Sequence, residues 1–337
     1  VLVSPENINN KKTLIAPLDW GLGHAARCVP LIKQLQQQNN SIVIACNPQQ
    51  RTFLQQEIKE VAFVDLFGYN MRYAKILPLW MKIMFQLPKL FIVVKREKKW
   101  LANYLHNNKT DVVISDNRFG LYNKKAESVF ITHQLNVQAP FFEKTINKIN
   151  ASFIKKYNAC WVPDHAEETK RLSGNLSYAS IIKNILFIGP LSRFEKKEPQ
   201  PKQHDVLILL SGPESQRTLL EEKLITAFAG TNHTIALVRG THTKRENKLP
   251  DNFWVIDIAS SKQLQELFNV SDKIVCRSGY STLMDLDSLG LKALLIPTPG
   301  QTEQEYLAKY WQEKFGCTYL EQKNITQESI KLFMKLE

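Results

Sequence analysis

Residues 13–38 read TLIAPLDWGLGHAARCVPLIKQLQQQ. The run 13–17 is short and mostly apolar, as a strand buried on both faces should be. A turn carrying Gly21 and Gly23 follows, and residues 27–38 then take helical spacing. A buried strand, a glycine-bearing turn and a helix, in that order, open a fold in which parallel strands alternate with covering helices. The glycines allow close approach of backbone to a ligand, and the helix start behind them favours an anion. His24 closes the turn, where an imidazole is placed to move a proton near neutral pH. A histidine that merely caps the helix is the plainer reading.

The alternation continues outward. The first half predicts further strands at 41–46, 111–115 and 128–132 and a helix at 49–57. The second half predicts strands at 205–210, 234–238, 253–256, 273–275 and 293–296, with helices at 217–228, 262–268, 281–289 and 304–314. Residues 192–204, SRFEKKEPQPKQH, are charged and proline-bearing, the best candidate for a linker. The expected fold is α/β: two Rossmann-like domains with parallel sheets facing a central cleft. The first spans 1–190, the linker 191–204 and the second 205–337, with the last helix able to pack back on the first domain. Ligands in such sheets bind beyond the carboxyl ends of the strands.

A length of 337 residues fits two domains of roughly 150 residues each. The composition excludes collagen-like, disulfide-scaffold and wholly disordered classes. Five cysteines stand far apart with no CxxC pair, which argues against a zinc site and a disulfide framework and favours a reducing compartment. No signal peptide is visible at the start, and the absence of an initiator Met leaves a trimmed start open. Residues 1–190 carry 25 Lys+Arg against 13 Asp+Glu, while residues 191–337 carry 19 of each. The whole net charge of +12 therefore belongs to the first half. Such asymmetry implies an anionic partner (membrane surface, nucleic acid or phosphorylated substrate), or else a solvated basic face.

Residues 69–99 are rich in Trp, Phe and Met, with eight basic residues against one acidic. Lys82, Lys89, Pro78 and Pro88 interrupt the stretch too often for a spanning helix. Within 72–99, Trp80, Phe85 and Phe91 suit an acyl boundary, while Lys75, Lys82, Lys89, Lys95, Arg96, Lys98 and Lys99 suit anionic head groups. The other reading is a core helix with a solvated basic face.

Two later turns repeat the strand–turn–helix pattern. In Val275-Cys-Arg277-Ser278-Gly279-Tyr280-Ser281-Thr282-Leu-Met-Asp285, Ser281 or Thr282 can cap the helix, and its exposed N–H groups could hold a diphosphate. Asp285 could grip ribose hydroxyls or only complement the helix dipole. Residues 294–305, LLIPTPGQTEQE, form a strand, a proline–glycine loop and a helix start whose polar residues could meet a sugar. Ser115-Asp116-Asn117-Arg118 and Thr132-His133-Gln134 end first-half strands and would open beside His24 in a parallel sheet. Asp116 could orient His24, or it could close a local Asx-turn. Arg118 could bind an acceptor phosphate.

These pieces, in this order, resemble GT-B glycosyltransferases, nearest the MurG-like and UDP-glucuronosyltransferase-like group. A Gly-Gly-His turn of that family is matched by Gly21, Gly23 and His24. An Arg-x-Gly-x-x-Thr-x-x-Glu stretch is matched by Arg277, Gly279, Thr282 and Asp285, with Asp replacing Glu. A proline loop ending in Asp-x-Gln or Asp-Gln is matched at Pro297 and Gln304, with Thr302 where the Asp is expected. The glycine loop opening the second domain reads Ser211-Gly212-Pro213-Glu214, and Pro213 cannot donate an N–H.

The resemblance implies an inverting, metal-independent transfer of a sugar from a nucleotide donor, a UDP-sugar above others, to a glycan or lipid-linked acceptor. His24 and Asp116 would form the catalytic pair, with Gly21, Gly23, Arg118 and His133 on the acceptor side. The nucleotide would meet Arg193, Gly212, Ile258, Arg277, Ser278, Gly279, Tyr280, Ser281, Thr282, Asp285 and Gln304. No resident cofactor or metal is expected, since the nucleotide sugar is a substrate. The expected location is cytoplasmic, with a peripheral place on the inner face of the membrane as an option. Alternatives are a UDP-sugar 2-epimerase of the same fold, for which no further acids and bases can be assigned, a non-catalytic sugar-nucleotide sensor, and a basic nucleic-acid-binding protein. Against the last, no recognised DNA or RNA motif appears, so no nucleic-acid partner is expected.

Overall fold

The computed structural model describes residues 2–69, 79–139, 141–178, 181–241 and 249–336, without the side chains of residues 79–89. The chain divides into two units, Val1–Arg193 and Phe194–Glu337. In the first, the elements run β1 (Lys12–Pro17), α1 (Gly23–Gln37), β2 (Ser41–Cys46), α2 (Pro48–Glu57), β3 (Ala62–Asp65) and α3 (Leu79–Asn107). They continue with β4 (Val112–Asp116), β5 (Glu127–Ile131), α4 (Glu143–Ile154), β6 (Ala159–Val162) and β7 (Ile185–Phe187). The seven strands form one parallel sheet in the order β3-β2-β1-β4-β5-β6-β7. Consecutive residues Leu14, Ile15 and Ala16 of β1 are fully buried, so both faces of the sheet are covered, as the apolar run requires.

The predicted strands at 13–17, 41–46, 111–115 and 128–132 correspond to β1, β2, β4 and β5 within a residue. The short strands β3, β6 and β7 were not anticipated. One boundary matters for chemistry: α1 starts at Gly23 and not at 27, so His24 stands in the first helical turn rather than in the loop before it.

Helix α3 runs 29 residues, through Pro88. It is tied to the sheet through Glu97, which is fully buried. Its carboxylate accepts from Gly120 N at 2.9 Å, Arg118 Nη1 at 2.9 Å and the Tyr69 hydroxyl at 3.1 Å. Of the basic–aromatic stretch, Arg72 and Lys75 lie outside the described residues, as do the side chains of Trp80, Lys82, Phe85 and Lys89. Phe91 and Ile92 are exposed.

In the second unit the elements are β8 (His204–Leu209), α5 (Gln216–Phe228), β9 (Ile235–Val238), β10 (Phe253–Ile256), α6 (Ser261–Val270) and β11 (Ser271–Cys276). After them come α7 (Tyr280–Leu289), β12 (Leu294–Leu295), α8 (Thr302–Phe315), β13 (Thr318–Tyr319) and α9 (Gln327–Met334). The six strands again pair in parallel, in the order β10-β9-β8-β11-β12-β13. The last helix sends Ile330 and Phe333 into the core that Val206, Leu224, Phe228 and Leu294 share.

Strand order reverses between β1 and β4 in the first sheet and between β8 and β11 in the second. Such reversals open a crevice at the carboxyl ends of the strands.

The contact between α3 and the loop after β4 admits only glycine at 120. A Cβ there would stand 2.5 Å from both the Val94 carbonyl oxygen and Glu97 Cβ. Because one of these atoms is backbone, the helix must shift. Gly120→Ala should therefore lower stability by about 1–3 kcal/mol, the usual cost of overpacking, read as a fall in the urea midpoint.

Candidate active site

In the first unit, parallel register sets Asp116, the last residue of β4, opposite Pro17, the last residue of β1. The chain leaving β1 turns through Gly21, whose φ of +78° suits glycine, and enters α1. His24 and Arg27 lie three residues apart on α1, so both face the same way. Both reach Asp116. His24 Nδ1 stands 2.9 Å from Oδ2, Arg27 Nε donates to Oδ2 at 3.1 Å, and Arg27 Nη2 donates to Oδ1. The Cys28 thiol lies 3.9 Å from Oδ2, and burial pushes its pKa well up, so it stays neutral.

The electrostatics fix the proton inventory of this cluster. Burial alone would raise the Asp116 pKa, but the Arg27 charge and then His24 outweigh it and hold the carboxyl at about 2. An ionised carboxylate only accepts, so His24 Nδ1 carries a proton and donates it. In the neutral imidazole, Nε2 then presents a lone pair. Burial lowers the His24 pKa first; Asp116 pulls it back up, and Arg27 pushes it down again. The net direction is below 6.5, with the side chain 17% exposed. At neutral pH this is an uncharged base with one oriented nitrogen.

The structure therefore brings His24 and Asp116 together, beside Gly21 and Gly23. His133, just after β5, is buried and close enough to add a small electrostatic contribution that lowers the His24 pKa. Arg118 is a correction. Its side chain is fully buried and turned inward, donating to Pro17 O at 2.9 Å, Phe67 O at 3.2 Å and Glu97 at 2.9 Å. It braces the floor of the crevice and is not presented to an acceptor phosphate. Arg27 was missed. Its signal was in the sequence: a basic residue one turn after a histidine, with an aspartate ending a neighbouring strand.

In the second unit, the turns after β8, β11 and β12 gather at the strand-order reversal. Gly212, with φ of +100°, keeps the first turn bare of side chain. Gly279 caps α7, which leaves Ser281 and Thr282 half-buried in its first turn and Asp285 half-buried a turn later. Tyr280 is buried. Ile258, just after β10, is 36% exposed. Arg193 is the last residue of the first unit and lies over the Phe53 ring of that same unit at 5.3 Å.

Arg277 and Ser278 are corrections too. Arg277, 1% exposed, donates to Ile296 O, Pro297 O and Gln216 O at 3.1, 2.9 and 3.0 Å. Burial lowers its pKa to about 10. The Ser278 hydroxyl donates to Gln304 O at 2.7 Å. These two side chains hold the turns in place from beneath. Gln304 accepts from Thr298 N at 2.8 Å, and its Nε2 lies 3.9 Å from where a Gly279 Cβ would stand.

A cavity of ≈ 300 Å³ lies between α3 and α4 in the first unit, with Phe91, Val94, Tyr122 and Phe153 among its walls. Lysines rim it: Lys98 Nζ sits 4.4 Å from the centre of the Tyr122 ring and Lys156 Nζ 4.6 Å from that of Phe153. Among the described residues, no helix is long and apolar enough to cross a membrane, and no group of three or more His, Cys, Asp or Glu could hold a metal ion.

Residues 214–334 match the glycosyltransferase family 28 C-terminal domain. A glycosyltransferase of Methanosarcina acetivorans is 25% identical over 90% of this chain and 84% of its own length. The chain is a GT-B glycosyltransferase. Its fold superposes on the glycotransferase of kitacinnamycin with a TM-score of 0.67 at 14% identity, over 97% of this chain and 90% of that one. A relative from Haemophilus influenzae, the UDP-N-acetylglucosamine--N-acetylmuramyl-(pentapeptide) pyrophosphoryl-undecaprenol N-acetylglucosamine transferase, is 22% identical over 97% of the chain and 90% of its own length.

In this glycosyltransferase the Asp116 carboxylate pairs with the buried Arg27. Asp116→Ala should cost about 3–5 kcal/mol of folding stability, because it removes one side of a buried ion pair. His24→Ala leaves the Arg27–Asp116 pair intact and should cost only about 0.5–1.5 kcal/mol, the worth of a single hydrogen bond. Chemical denaturation of the two variants side by side checks the difference.

Proposed function

We propose that this glycosyltransferase inverts configuration, needs no metal, and moves a sugar from a UDP-sugar to a hydroxyl of a lipid-linked or membrane-held glycan. The observation that carries the reading is the His24–Asp116–Arg27 cluster. His24 Nε2 takes the acceptor proton as its oxygen attacks the anomeric carbon from the face opposite the departing diphosphate. The ionised Asp116 stabilises the imidazolium through Nδ1–H, and Arg27 keeps Asp116 ionised throughout.

On the donor side, the bare turn at Gly212 and the N–H groups opening α7 receive the diphosphate. Asp285 takes the ribose, Ile258 lies against the base and Gln304 meets the sugar. No resident cofactor is required. The UDP donor and the lipid-linked acceptor draw support from the name of the Haemophilus relative, which specifies UDP-N-acetylglucosamine and a pyrophosphoryl-undecaprenol compound. The basic first half and the lysine-rimmed cavity between α3 and α4 fit an anionic surface at the cytoplasmic face.

His24→Ala should reduce turnover by about 10²–10⁴, leave nucleotide affinity nearly intact, and leave the enzyme indifferent to EDTA. The base must be unprotonated, and its pKa in the fold lies below 6.5, so activity is full above that pH. It falls as pH drops through the lowered value. The acid limb of kcat/KM against pH should therefore lie below 6.5 and vanish in His24→Ala; turnover that survives the substitution would remove His24 from this role.

Each Lys or Arg near an anionic bilayer contributes about 1 kcal/mol, so four or more engaged give salt-sensitive peripheral binding. In flotation with vesicles containing anionic lipid, the protein should rise at low salt and be released at high salt. Protein that stays in the soluble fraction at low salt would favour a soluble acceptor.

A further inference from the structure

Thr298 follows Pro297 in the turn after β12 and is 5% exposed. Its Oγ1 is buried and has no hydrogen-bond partner among the described residues. A buried hydroxyl without a partner costs the folded state, so a native one calls for an explanation. Slack in the backbone is not the explanation. The Thr298 N–H donates to Gln304 Oε1 at 2.8 Å, and Arg277 Nη1 holds the carbonyls of Ile296 and Pro297 at 3.1 and 2.9 Å. The residue is pinned from both sides and its hydroxyl is left over.

The hydroxyl faces a particular place. Oγ1 lies 3.6 Å from the point where a Cβ on Gly212 would stand, in the turn between β8 and α5. That turn is bare because Gly212 has no side chain. Its next residue, Pro213, brings no N–H to the crevice. Gln304 accepts from the Thr298 N–H, and its backbone carbonyl accepts from the Ser278 hydroxyl beside Gly279, where α7 starts on an N-cap that has no side chain. A helix start, a glycine-opened turn and an unused hydroxyl donor thus come together around space suited to an anionic oxygen.

We propose that Thr298 Oγ–H donates a hydrogen bond to a phosphate oxygen of the donor's diphosphate, supplying the donor that Pro213 removes from the β8–α5 turn. This rests on the donor-site reading above and adds to it a residue that tunes phosphate affinity. It also accounts for the buried orphan: the partner arrives with the substrate.

The test is calorimetric titration of the full chain with UDP, dTDP and GDP, and with the corresponding nucleosides, for the wild type, Thr298→Val and Thr298→Ser. Thr298→Val should weaken the tightest-binding diphosphate about ten-fold or more, and Thr298→Ser by no more than about three-fold, while nucleoside affinity stays level. Unliganded Thr298→Val should melt at the same temperature as the wild type or higher, since it deletes an unsatisfied polar atom at nearly constant shape. Equal diphosphate affinity in Thr298→Val and wild type overturns the role of Thr298 and leaves the donor site standing. Failure of the wild type to bind any of the three diphosphates overturns both. A lower melting temperature together with an equal loss of nucleoside affinity assigns Thr298 to packing and also overturns the proposal.

Discussion

A fully buried carboxylate at the end of β4 governs the chemistry of the first unit. Asp116 keeps its charge in a place where burial favours the neutral acid, and it does so because Arg27 reaches it with two nitrogens. The ionised state has one consequence that matters. An acceptor-only carboxylate dictates which nitrogen of His24 holds the proton, and so turns an ambiguous imidazole into an oriented base. The pair also explains why α1 begins where it does. Starting the helix at Gly23 puts His24 and Arg27 on one face, one turn apart, across from the β4 terminus.

Both units bury an arginine beneath the reversal of strand order, but with different partners. Arg118 meets Glu97 and backbone carbonyls; Arg277 meets three carbonyls, and burial lowers its pKa to about 10. In each case the guanidinium ties together loops that are far apart in sequence, at distances only a long, multi-donor side chain can span. The crevice turns of each unit then rest on a rigid floor. Thr298 follows from that rigidity, since its neighbours are fixed and its hydroxyl is not used.

The strand–turn–helix units were legible because the buried parallel strands are apolar on both faces and the glycines mark the turns. His24 and Asp116 were legible as candidates because topology alone carries the ends of β1 and β4 to one edge. The direction of a side chain was not legible. Spacing shows that Arg118, Arg277 and Ser278 belong to crevice loops, but only packing shows that all three turn inward to bind carbonyl and carboxylate oxygens. The strand β3 escaped because it is short and lacks a fully buried residue. The long α3 was obscured by Pro88, which argued for interruption although the helix runs through it. Arg27 was overlooked because its worth depends on a partner 89 residues away.

An ionised Asp116 orients the neutral His24, with its proton on Nδ1 and its lone pair on Nε2. Nitrogen-15 NMR of the histidine side chains, assigned by comparison with His24→Ala, reads this directly. At pH 7 the ring should be neutral and in the Nδ1–H tautomer, with its protonation midpoint below pH 6.5. A His24 imidazolium at pH 7, or a neutral ring with its proton on Nε2, would contradict it.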